Sequence, residues 1–92
     1  MPYIKQSDRE RYDVPILVLT NKLVGQSCGD LNYVLTKLIH QFVPAPLSYK
    51  SLNEVIGVLE CAKLELFRKV VAPYEDIKRA ETGSVSNLDW QI

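Results

Sequence analysis

Residues 51–71, SLNEVIGVLECAKLELFRKVV, carry two apolar stripes at helical spacing. Leu52, Val55, Ile56, Leu59, Ala62, Leu66 and Val70 form one stripe; Leu64, Phe67 and Val71, at i, i+3 and i+7, form a second on the roughly opposite side. A helix that is apolar on two sides must be covered on two sides. Either this is the central helix of the monomer, or one stripe packs on a second subunit. A chain of 92 residues with about four helices struggles to supply both covers. Homo-oligomerisation, as a dimer or larger closed oligomer through one face of this helix, is therefore the expectation.

The local signals around that helix define the remaining elements. SLNE reads as a capping box in which Ser51 and Glu54 satisfy each other's backbone N–H groups, so the helix is predicted to start at Ser51. The phrase has a near copy upstream, DLNYVL at 30–35 against SLNEVI at 51–56. There the glycines of GQSCGD mark a stop and a new start, with Asp30 as the expected N-cap. Leu31, Val34, Leu35, Leu38 and Phe42 follow at i, i+3, i+4, i+7 and i+11, which predicts a helix of about a dozen residues with one core face. VPAPLSYK then breaks the chain.

Upstream, Asp13 as cap and Pro15 in the first turn, with Ile16, Leu19, Thr20 and Leu23 at helical spacing, predict a first helix over 14–24. Residues 1–12 are left as a polar arm whose SDRERYD forms a turn or a short helix, and PILVLT competes as a buried strand because it is rich in aliphatic and β-branched residues. Pro73 either kinks the third helix or opens a fourth, PYEDIKRAE, whose acids precede its bases as a helix dipole favours, and Gly83 ends it. The tail 84–92, SVSNLDWQI, is either loose or docks Leu88 and Trp90 into a groove. The expected fold is all-α: three main helices and a shorter fourth in a single domain, residues 1–92, a small bundle completed by homo-oligomerisation.

Charge and residue chemistry narrow the function. Eleven Lys plus Arg balance eleven Asp plus Glu, so there is no general attraction to nucleic acid or anionic lipid, and a nucleic-acid-binding regulator is disfavoured. No apolar run approaches the roughly 18 residues of a membrane span. Cys28 and Cys61 show no CxxC spacing and the opening MPYIKQSDRER has no apolar signal-peptide core, which together suggest a reduced, cytoplasmic protein.

His40, the single histidine, falls near the end of the second helix, where an imidazole suits the dipole. One histidine and no paired cysteines suggest no metal site, and no catalytic residue or cofactor is assigned. A metal-dependent nucleotide hydrolase of the all-helical type is the alternative, through Glu54, Glu60 and Glu65. Their spacings of six and five residues do not place all three on one face.

The candidate ligand-binding residues are Asn32, Tyr33, Asn53, Arg68, Lys69 and Tyr74. Asn32 and Asn53 hold the same slot in the two repeated phrases, two residues past the expected caps, where an anion would meet unpaired N–H groups. If the two helix starts meet, Tyr33 lies on the rim of the pocket they make. Arg68 and Lys69, with Lys78 and Arg79 and with Tyr74 between them, form a basic end suited to a phosphate or a stacked base. Each set also has a plainer reading: asparagines that serve local turns, and cations that complement helix C-termini.

GDLNYVLTKLI (29–39), LNEVIGVLECAKLELFRKVVAPYED (52–76) and the opening MPYIKQSDRER resemble a family of small uncharacterised proteins encoded in bacterial and bacteriophage genomes. Its members read like GxLNYVITRLL and then LNxxIGVLExxKxEFYRRVVAPYEDxK. The resemblance covers most of the chain, which departs from the pattern in its C-terminal tail and in a more apolar first helix. By analogy with small helical oligomers of phages, it implies a non-enzymatic binding protein of the host cytoplasm. Such a protein counters a host defence by binding a defence protein or by sequestering a small nucleotide signal.

Overall fold

The computed structural model describes residues 2–89, and it is all-α: α1 (Gln6–Leu23), α2 (Cys28–Phe42), α3 (Tyr49–Leu66), a π-helical turn (Phe67–Val71) and α4 (Ala72–Thr82). No strand occurs among the described residues, so PILVLT is helical. The chain divides into two units, Met1–Val58 and Leu59–Ile92, with the division inside α3.

In the first unit, α1 begins eight residues before its predicted start at 14, and the polar arm shrinks to residues 2–5. The reason is local. Arg9, Glu10 and Arg11 are good helix formers, Asp8 sits in the positive first turn, and the Arg9 Nε donates to the Ile4 carbonyl at 3.0 Å to tie down the entry. Pro15 is consequently an interior residue rather than a first-turn one, and forgoes one ladder hydrogen bond. Past the end of α1, Gly25 takes a φ of +79°, a left-handed conformation that glycine adopts without strain.

The caps of α2 and α3 both lie three residues upstream of their predicted positions. Ser27, not Asp30, caps α2: its hydroxyl accepts the Asp30 N–H at 3.2 Å, and its carbonyl accepts the Leu31 N–H at 3.2 Å. Ser48 does the same for α3, accepting the Ser51 N–H on its hydroxyl at 3.2 Å and the Leu52 N–H on its carbonyl at 3.1 Å. The repeated phrase is thus longer than six residues, SCGDLNYV against SYKSLNEV, and its first serine is the cap. The VPAPLS break between the helices is as predicted and contains a cis Ala45–Pro46 bond.

None of the described residues is buried. The face of α2 predicted as core is open: Val34 is half-buried, while Leu35 is 46% and Phe42 76% exposed.

In the second unit, the end of α3 runs into the π-helical turn and then α4. Pro73 explains the change of register. In an α-helix its ring would collide with the Lys69 carbonyl and its nitrogen would have no proton to give it. The wider turn, in which the Ala72 N–H reaches back five residues to the Phe67 carbonyl, moves that carbonyl aside and lets the helix continue. Gly83 ends α4 as predicted, at φ +93°. Leu88, 92% exposed, docks in no groove, and the predicted anchor Trp90 lies outside the described residues.

Candidate functional site

The predicted site residues fall into two sets. Asn32, Tyr33 and Asn53 belong to the first unit, Arg68, Lys69 and Tyr74 to the second.

The upstream caps change what the asparagines can do. With Ser27 and Ser48 as caps, Asn32 and Asn53 sit at the fifth residue of their helices, beyond the unpaired N–H groups of the first turn. The Asn32 carbonyl oxygen accepts the Thr36 hydroxyl at 3.0 Å, one turn along α2, which is a local role. Tyr33 lies with Leu19, Val34, Lys37, Leu38 and Gln41 along a shallow, mostly apolar groove between α1 and α2. The Lys37 ammonium stands 5.9 Å from the centre of the Tyr33 ring, within cation–π range.

In the second unit, Arg68 is held by Glu65 at 3.3 Å, so its charge is partly spent within the helix. Lys78 lies 5.5 Å from the Tyr74 ring centre and 3.4 Å from Glu81. Arg79 meets Asp76 at 4.0 Å, and also donates to the backbone carbonyl of Asp89. A shallow groove lined by Glu75, Asp76, Lys78, Arg79, Thr82 and Asp89 mixes both signs of charge, which suits a protein surface better than a bare anion.

The tyrosine–lysine pairs are the one feature the candidate set missed. Both are Tyr-x-x-x-Lys, at i and i+4, so the spacing that stacks side chains on a helix would have found Lys37 and Lys78 beside Tyr33 and Tyr74.

The acids of the hydrolase alternative do not converge. Glu60 pairs with Lys63 at 3.3 Å and Glu65 with Arg68, and no group of three or more His, Cys, Asp or Glu side chains stands close enough to hold a metal ion among the described residues. Both cysteines are free; Cys28 is exposed at the first position of α2. His40 lies in the last turn of α2, as predicted. No described helix is long and apolar enough to cross a membrane.

Comparison with curated proteins and with solved structures gives no match. A family model matches residues 1–85, nearly the whole chain, and on that match the chain belongs to the family described as Domain of unknown function (DUF6899).

Proposed function

We propose that the chain is a non-enzymatic binding protein that works as a homo-oligomer and engages another protein through apolar helix faces. The observation that carries this reading is the absence of any buried residue among those described, together with the half-exposed leucines of α2 and α3. Apolar faces of that extent are stable in water only when another surface covers them. The helix surfaces are thus interface before they are anything else. In the phage setting implied by the resemblance, the protein engaged is a component of host defence.

A nucleotide-like ligand is the second reading, and the Tyr33–Lys37 and Tyr74–Lys78 pairs favour it. Each sets a cation beside an exposed ring, so that a base can stack while the ammonium meets a phosphate.

Light scattering at tens of micromolar tests the oligomer: a mass at a multiple of the 10.5 kDa chain is expected. A folded monomer at that concentration would refute it. Isothermal titration against cyclic and linear nucleotides tests the second reading, which fails if none of them releases heat with the folded protein.

A further inference from the structure

α1 differs from the other helices because its apolar residues do not form a stripe. VPILVL, residues 14–19, is six consecutive apolar residues. At about 100° per residue they encircle the helix, and a helix apolar all round belongs inside a larger body. Part of that circumference is met within the first unit. The N-terminal segment lays Tyr3 and Ile4 beside Arg9, Tyr12 and Ile16, and Leu19 faces α2. The half-buried positions of α1 are Arg9, Leu19 and Leu23, which share one arc of the helix. The opposite arc carries Val14, Leu17 and Val18, which are 66%, 59% and 54% exposed. Glu10 lies one turn before Val14, and Lys22 one turn after Val18.

We propose that this open face is a two-fold contact in which α1 packs antiparallel on α1 of a second copy, crossing at the level of residue 16. This deepens the oligomeric reading above and rests on it. The face is self-complementary. The register that sets Val14 against Val18 of the second copy also sets Glu10 against Lys22 of the second copy, and symmetry repeats both contacts. A parallel crossing would instead oppose Glu10 to Glu10 and Lys22 to Lys22. No charge falls between Asp13 and Lys22, so nothing ionised is trapped at the centre.

The extent of apolar surface also favours a second copy. Eighteen large apolar residues are exposed in the first unit, Val14, Leu17 and Val18 among them. A second copy brings the same three residues to the contact, so each apolar face is covered by its equal.

Light scattering over a dilution series, with circular dichroism to confirm helicity, tests the contact in four proteins: the parent, Leu17→Glu, Glu10→Lys, and Glu10→Lys with Lys22→Glu. The parent is expected above monomer mass. Leu17→Glu should at least halve that mass with helicity retained. Glu10→Lys should raise the dissociation constant roughly tenfold, and the double variant should restore it to within about twofold. A monomeric parent would sink the oligomeric reading itself. A parent that is oligomeric, with Leu17→Glu and Glu10→Lys unchanged in mass and affinity, would overturn the α1 contact alone. Should Leu17→Glu not fold, the charge variants decide, and a double variant no tighter than Glu10→Lys overturns the contact.

Discussion

The Ser27 hydroxyl accepts the backbone N–H of Asp30 at 3.2 Å, and 21 residues on the Ser48 hydroxyl accepts that of Ser51 at the same distance. The starts of α2 and α3 are therefore built on one plan, in which a serine outside the helix satisfies an N–H that has no partner in the first turn. Ser27→Ala and Ser48→Ala are each expected to lower stability by about 1 kcal/mol. Asp30→Ala and Ser51→Ala keep the backbone donor and should cost less. Chemical denaturation of the four variants checks the order. Equal losses at Asp30 and Ser27 would return the cap to the aspartate.

The π-helical turn depends on Pro73, and the substitution Pro73→Ala isolates that dependence. Alanine supplies the missing N–H and removes the ring, so the bond from Ala72 N–H to the Phe67 carbonyl should give way to ordinary i→i−4 bonds. Losing the extra residue rotates everything after it by about 100° relative to α3. Tyr74 and Lys78 would then leave their present face together. Nuclear Overhauser contacts from residue 72 to residues 67 and 68 report the register; a variant that keeps the five-residue step shows that Pro73 is not its cause.

Gly83 closes α4 at φ +93° and ψ 159°, a region that side-chain-bearing residues avoid. The space around it is open, with no atom within 4 Å of where a Cβ would stand. Any penalty on Gly83→Ala is thus backbone strain alone, roughly 1–3 kcal/mol. It should appear as fraying of the last turn of α4, read from amide exchange at Arg79 to Thr82, with α2 unaffected.

Much of the fold was legible because it rests on periodicity. The stripe that begins at Leu31 and the one that begins at Leu52 are both on helices, and the VPAPLS break and the Gly83 stop lie where their residue chemistry puts them. The caps were misplaced because Asp30 and Ser51 are themselves good capping residues. Only hydrogen-bond geometry shows that a second competent residue three positions upstream has taken the role. The start of α1 was missed because Asp13-x-Pro15 is a strong start signal that an already formed helix overrides. Burial was the least legible quantity. An apolar stripe states that a face must be covered, and the residues of the covering surface are not written in the stripe.

Asp89 gives the tail a pH dependence. Its carboxylate accepts the Ser86 N–H at 2.9 Å and the Val85 N–H at 3.0 Å, closing a turn just past α4. These two bonds, Ser86 foremost, lower its pKa below the usual 3.8; desolvation opposes them, and nearby Arg79 adds a smaller lowering. A depressed folded-state pKa means that the contribution to the turn is present above pH 3.8 and lost as pH falls through the lower, folded value. The Val85 and Ser86 amide resonances are therefore expected to move together as pH falls, with a common midpoint below 3.8. Asp89→Asn keeps an acceptor oxygen and should abolish that transition while leaving part of the turn. A titration of both amides centred at or above 3.8 in the parent protein would show that the carboxylate does not hold them.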